Sequence, residues 1–474
     1  MTRVALVALL GACSDDTITV APVIDSPTNA SAEPFPNLDA VVLAVAHAGQ
    51  ATDVVSQTFA RGSTLQLTGV PYDTDLVIHM SGLVGAGEVA YGRTCTFAFD
   101  ATTPPPTPHL YFSRIVKFGD LAATARVRNG GRGITAGALG LFLGGVDTTG
   151  GSVVEVEQFD PASGTLTEVA QLQPRSGAEV ALIGVSPPRI ALIGGAQADG
   201  TAAGFVEIVA PGTDTTARID RVDDAQLGRS GLTASTLSDG RVIVIGGAAP
   251  GSPPSGEVDE IDATSGSAEA RQLRPMLAFP RRGHTATVLG DDIGVDVVVL
   301  GGLDATGQPI GTAELFKPLS QTFAAQAPTM LVPRSQHRAV LLTDNSILVI
   351  GGIDAAGLPV RRLERFDIDT GFIDAGTLPD GAGALDFSAT NLPDGRVLIA
   401  GGRATPGGPP LDTAFIAQLD SINGTIDIVA TDRLSIPRAQ HQAVLLCDGT
   451  VLLGGGTIQP AVAERYDPPA TGRR

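Results

Sequence analysis

An apolar run ending in paired glycines recurs seven times along this chain of 474 residues. The pairs are Gly144-Gly145, Gly194-Gly195, Gly246-Gly247, Gly301-Gly302, Gly351-Gly352, Gly401-Gly402 and Gly455-Gly456. Their first members lie 50, 52, 55, 50, 50 and 54 residues apart. A steady period of ~50 residues means one supersecondary unit repeated, each copy burying its apolar faces on its neighbours. Ahead of the run stands a second apolar stretch, as at 339–342 and 443–446. The two are joined by Asp239-Gly240, Asp344-Asn345, Asp394-Gly395 or Asp448-Gly449. Such dipeptides between apolar runs specify a tight hairpin, because a type I′ turn needs positive φ at both central residues. Each unit therefore predicts two inner antiparallel strands that are apolar on both faces.

After the glycines, a variable loop leads into an alternating strand, such as Glu314-Leu315-Phe316 or Glu464-Arg465-Tyr466-Asp467. A fourth strand follows, marked by an aromatic at Phe323 or Phe372. No stretch keeps a 3.6-residue apolar period, so the fold reads as all-β. Four-stranded meanders repeated radially form a propeller. In period and glycine pairs, residues 112–468 resemble the kelch-repeat β-propeller family. The count points to seven blades. Six is the alternative, because residues 130–140 are glycine-rich and offer the first unit no convincing first strand. The last unit stops after its third strand, near Tyr466-Asp467-Pro468, while 118–128 repeats the pattern of 323–334. Residues 112–124 are therefore expected to supply the missing strand and close the ring.

Residues 37–111 do not follow the period. Strand-like runs at 40–46, 64–67, 76–80, 89–99 and 109–113 predict a small immunoglobulin- or transthyretin-like β-sandwich domain ahead of the propeller. At the start, a seven-residue apolar run (4–10) follows Met1-Thr2-Arg3, far short of the ~20 residues that span a bilayer. Leu10-Gly11-Ala12-Cys13 resembles the lipobox of bacterial lipoproteins. That resemblance implies a signal peptide cleaved before Cys13 and a lipidated thiol as the one membrane attachment. It also implies an address in the cell envelope, at the outer membrane or cell surface rather than free in the periplasm. Residues 14–36 read as a disordered tether, since their Ser, Thr, Asp, Ala and Pro bury little apolar surface, and 469–474 read as a tail. Cys95 and Cys447 would lie in an oxidising compartment. They could bridge, but nothing in their spacing brings them within reach, and two separately buried thiols are the expectation.

The formal charge is −19, which argues against nucleic acid or an anionic membrane surface as partner. Lys117 and Lys317 are the only lysines, so the positive charge is nearly all arginine. Arg128, Arg175, Arg229, Arg281, Arg334 and Arg438 recur just before the first inner strand, and the sixth unit lacks one. They predict a ring of guanidinium groups at one mouth of the channel. That ring either binds an anionic ligand or pairs with acids such as Asp147, Asp304 and Asp354, two residues after their glycines. His284, His337 and His441 each follow one of these arginines by three residues. A catalytic histidine would be singular, so these read as packing and hydrogen-bonding groups. No P-loop, GxSxG, HExxH or Cys/His cluster is present, and neither metal nor cofactor is expected. Among enzymes of the kelch family, a copper site of the galactose-oxidase kind is not matched by Tyr72, Tyr91, Tyr111 and Tyr466. The expected function is a non-catalytic envelope lipoprotein whose propeller binds a protein or glycan through loops on one face. The alternatives are a carbohydrate-active enzyme on the same scaffold, acting on a sugar or sugar acid, and a purely structural envelope protein.

Overall fold

The hairpins expected at the Asp-Gly turns form, and two further strands extend each into a four-stranded antiparallel meander. The computed structural model describes residues 17–100, 107–184, 189–212, 218–263, 268–290, 296–324, 328–456 and 462–469. Among them are seven such sheets, numbered here in chain order. Their first strands are Arg132–Ala136, Glu179–Ile183, Thr233–Thr236, Thr285–Leu289, Arg338–Leu341, Ser388–Asn391 and His441–Leu445. These first strands lie against one another in cyclic order, from one to seven and back to one. The chain is all-β and its arrangement is propeller-like. Sheet one does have a first strand, paired along Arg132–Ala136 with Leu139–Leu143, despite its glycines.

Two-faced apolarity is what stacks the sheets. In the second strand of sheet five, Ile347, Leu348, Val349 and Ile350 are all buried. Alternate side chains point opposite ways, so Leu348 and Ile350 pack with Val397 and Ile399 of sheet six, and Ile347 and Val349 with Val298 and Leu300 of sheet four. Each such side chain contributes about 1.5–3 kcal/mol by leaving water. Aromatic pairs tie third strands to fourth: Phe316 with Phe323, Phe366 with Phe372 and Tyr466 with Phe118, at centroid separations of 5.3, 5.0 and 4.9 Å.

The glycine pairs bend the chain where it leaves the second strand. Gly351 and Gly352 have φ of 67° and 96°, and a Cβ on Gly352 would lie 2.6 Å from the Ser335 carbonyl oxygen. The bend aims the Gly352 N–H at the Ala384 carbonyl of the next sheet, 2.9 Å away. Gly195, Gly247, Gly302 and Gly402 make the same bond to Arg229, Arg281, Arg334 and Arg438. The Gly456 N–H closes the circle on the Arg128 carbonyl at 3.0 Å.

Sheet seven is completed from the other end of the ring. Its fourth strand is Lys117–Thr124, pairing Phe118 with Tyr466 and Lys117 with Asp467, as the terminal patterns predict. The boundary between the two parts falls at the turn 115–116 rather than at 111–112, because His109–Arg114 is a strand of the amino-terminal unit.

That unit holds a six-stranded sheet in the order Val23–Asp25, His109–Arg114, Gly87–Arg93, Leu76–Val84, Ala40–His47, Asp53–Ala60. A two-stranded ribbon, Thr17–Val20 with Leu67–Pro71, lies over it. Val20, Leu67 and Val70 of the ribbon share one core with Leu43, Val45, Ile78 and Phe112. The tether expected at 14–36 is therefore corrected over its described part. Val20 and Ala32 are buried, and backbone pairing with strands far along the chain orders what local composition would not. Asn29 is seated on the ring itself. Its amide donates to the Phe118 carbonyl at 2.8 Å and its oxygen accepts the Asp120 N–H at 3.0 Å.

The expectation of separate thiols is also corrected. Cys95 and Cys447 form a disulfide with their Cα atoms 5.1 Å apart, fastening the amino-terminal unit to the first hairpin turn of sheet seven. Only folding brings these positions together, since 352 residues separate them in sequence. Cys13 and the segment before it lie outside the described residues. Among the described residues no helix is long and apolar enough to cross a membrane.

Candidate functional site

Strand direction fixes which end of the ring is which. Each first strand begins just after the arginine position and ends at a hairpin turn, and each second strand returns to its glycine pair. Arginine positions, glycine pairs and the loops after them therefore share one end. The disulfide at Cys447 places the amino-terminal unit at the other.

Each of the six repeated arginines is buried at the first end and holds a carboxylate from the third strand of its own sheet. Arg128 meets Glu157 at 2.7 Å, Arg281 meets Glu314 at 2.7 Å and Arg438 meets Glu464 at 2.7 Å. Arg175 pairs with Glu207, Arg334 with Glu364, and Arg229 with both Asp259 and Glu257. The guanidinium also donates to the carbonyl of the first glycine in four sheets: Arg128 to Gly144, Arg281 to Gly301, Arg334 to Gly351 and Arg438 to Gly455. The carboxylate in turn accepts backbone N–H groups from the strand connection before the arginine. Leu331 and Val332 donate to Glu364 at 2.8 and 2.9 Å, and Ala278 and Phe279 to Glu314. Burial lowers the pKa of Arg128, Arg281 and Arg334 and pushes Arg175 down to about 10, while the adjacent glutamate works the other way.

Of the two alternatives, anion binding is corrected and pairing with acids holds: the six arginines are internal staples, and no guanidinium of the six lines the channel. The partners differ from those expected as well. Asp147, Asp304 and Asp354 close their own loops, accepting N–H groups from Thr149 and Gly151, Thr306 and Gln308, and Ala356 and Leu358.

The true partners were missed in the sequence, although a signal exists. Opposite the residue two before each glycine pair stands an acid: Glu157, Glu207, Asp259, Glu314, Glu364 or Glu464. In sheet six, which has Ala384 in place of arginine, that position is Phe415. Cation and anion are absent together.

The channel itself holds a cavity of about 550 Å³ at the arginine end, and all seven sheets line it. Ahead of the first strands stands one left-handed residue per sheet, Gly130, Gly177, Gly231, Gly283, Gln336, Asp386 and Gln440, with φ between 56° and 69°, and all but Gly177 line the cavity as its rim. The turn lets rim N–H groups reach the preceding sheet, as Gln440 to the Asp386 carbonyl (2.8 Å), Gly130 to that of Gln440 (3.1 Å) and Gly283 to that of Gly231 (2.8 Å).

One residue deeper, the repeated histidines bind sheet to sheet. Nε2 of His284, His337 and His441 lies 3.0, 2.9 and 2.9 Å from the hydroxyls of Thr233, Thr285 and Ser388 in the preceding sheet. Burial, with the nearby Arg281, Arg334 and Arg438 adding to it, pushes these imidazoles down to about 3, so they stay neutral. This agrees with their reading as structural groups.

Among the described residues, four charged side chains line the cavity. Arg132 and Glu179 form a two-pronged pair across sheets one and two, at 2.7 and 3.1 Å. Asp386 faces Arg403 at 3.3 Å. Arg338 donates through Nε to the Phe387 carbonyl at 3.2 Å, and among the described residues no carboxylate lies within ion-pair distance of it. It is solvent-exposed within the channel. The surrounding walls and Arg132 lower its pKa from the ordinary arginine value, yet a guanidinium of this kind remains charged. No group of three or more His, Cys, Asp or Glu able to hold a metal occurs among the described residues.

No family model matches this chain, and no curated protein matches it. Among solved structures, the one titled "Structure of YjhT" is similar over 61% of this chain and 93% of that chain, with 14% identity and a TM-score of 0.46. The fold described above rests on the strand pairings themselves.

Proposed function

We propose that the seven sheets are the blades of a kelch-type propeller, carried on an immunoglobulin- or transthyretin-like sandwich. In this reading the molecule is a non-catalytic envelope lipoprotein, lipidated at Cys13, that binds a protein or glycan through the loops at the arginine end. The observation that carries the reading is the Cys95–Cys447 bridge, which commits the opposite end to the amino-terminal unit and leaves the cavity mouth and its loops open. Exposed apolar side chains at that open end favour a protein partner. Met276 and Phe279 stand in the connection from sheet three to four, Leu331 in the next, and Leu358 in a loop of sheet five. Apolar and aromatic anchors of this kind carry most of the energy of protein interfaces. Among the described residues, the two carboxylates that line the cavity, Glu179 and Asp386, each face an arginine.

The test uses protein lacking residues 1–13, immobilised and screened against envelope proteins and a glycan array. Saturable binding is expected, lost in Phe279→Asp and Leu358→Asp and kept in Leu319→Asp and Ile422→Asp, which alter the other end. Binding indifferent to Phe279 and Leu358, or no binding at all, contradicts the reading.

A further inference from the structure

Sheets one to four place glycine at the left-handed rim position, where it costs nothing in side-chain sterics. Sheets five, six and seven place Gln336 (φ 57°), Asp386 (φ 56°) and Gln440 (φ 56°) there instead. A left-handed backbone is sterically costly for a residue bearing a side chain, so three neighbouring sheets hold strain that glycine would relieve. Strain retained in one sector, at the lip of a cavity, points to what those side chains do there. All three line the same cavity as Arg338, which lies two residues beyond Gln336 at the start of the first strand of sheet five. The sector combines a guanidinium lacking a carboxylate within ion-pair distance, two primary amides and one carboxylate. The far side of the channel is already neutralised by the Arg132–Glu179 pair.

We propose that Arg338, Gln336, Gln440 and Asp386 form a subsite for a small organic carboxylate that also bears hydroxyl or ammonium donors. The guanidinium fork takes the carboxylate, the amides of Gln336 and Gln440 take its remaining polar atoms, and Asp386 accepts from the hydroxyl or ammonium group. A cavity of about 550 Å³ has room for a molecule of sugar-acid or amino-acid size. The inference rests on the reading of the arginine end as the binding end, and it names the chemistry taken up at its centre.

Calorimetric titration of protein lacking residues 1–13 with glucuronate and with glutamate tests it, and glucose and glutamine serve as the uncharged counterparts. At least one acid should bind one-to-one, at least tenfold more tightly than its counterpart, and which of the two binds tells a sugar acid from an amino acid. Arg338→Gln should weaken that binding at least tenfold, and Arg338→Lys should keep part of it. Gln336→Gly supplies a second reading that does not depend on Arg338. Relief of strain should raise the melting temperature while the affinity for the acid falls, and a purely conformational role for Gln336 would leave affinity unchanged. Failure of both acids to bind, equal binding of acid and counterpart, or full affinity in Arg338→Gln overturns the subsite. Partner capture that survives while neither acid binds removes the subsite alone. Acid binding without any captured partner removes the partner reading and leaves the subsite standing.

Discussion

Nη2 of Arg281 donates to Oε1 of Glu314 at 2.7 Å, with both side chains nearly closed to solvent. The pair is one of six that hold the entry to a first strand against the third strand of the same sheet. A buried pair repays its own desolvation only in part, so removal of one partner is costly and removal of both is not. Arg334→Met is expected to lower stability by about 3–5 kcal/mol, and Arg334→Met with Glu364→Leu to recover most of that loss. Urea unfolding of the two variants checks this. Equal losses in both would show that the arginine matters for something other than its glutamate.

The glycine pairs make a separate prediction about backbone. Gly352 sits at φ 96° with a carbonyl oxygen where its Cβ would be, whereas Gly357 sits at φ 75° with nothing within 4 Å. Gly357→Ala should cost about 1–2 kcal/mol, the left-handed penalty alone. Gly352→Ala should cost clearly more, because the loop at Ser335 must also move. Chemical unfolding of both variants would contradict the account if they were equally destabilised.

Acid should weaken the ring through its histidines. His284, His337 and His441 fall from 6.5 to about 3 on folding, so between those values the unfolded chain binds protons that the folded chain refuses. Stability therefore drops as pH falls from 6.5 towards 3, by up to about 1.4 kcal/mol per pH unit for each histidine. His337→Gln should reduce that slope by one histidine's share, read from urea midpoints at pH 7, 6 and 5. An unchanged slope would show that His337 does not titrate in this way.

The bridge between Cys95 and Cys447 closes a loop of 352 residues. Protein lacking residues 1–13 should show no free thiol in denaturant without reductant, and Cys95→Ser with Cys447→Ser should lose about 2–5 kcal/mol of stability. Two free thiols in the unreduced protein would contradict the bridge.

The repeated architecture was legible because it is written locally and many times. Asp344-Asn345 announces its turn, the run 347–350 is apolar on both faces, and Gly351-Gly352 ends it. Pairings between distant segments were legible only where both partners carried a pattern. Phe118 and Tyr466 did, whereas Cys95 and Cys447 did not, and nor did Thr17–Val20, whose partner strand is Leu67–Pro71. The arginines were found as a set but given the wrong partners. The aspartates are close in sequence, while the glutamates stand two strands away and meet the arginines only through register. Gln336, Asp386 and Gln440 are not legible in the sequence because a left-handed backbone leaves no mark there unless glycine occupies it, and Arg338 breaks the repeat rather than following it.

Hydrogen exchange of the peptide covering 117–124 tests the closed ring most directly, since among the described residues that strand is the only early segment placed in the last sheet. Closure predicts that its amides bonded to Val462–Asp467 are protected together with those of Val451–Gly455 and exchange far more slowly than the exposed loops. Exchange at the rate of the exposed loops, with Val451–Gly455 still protected, would contradict it.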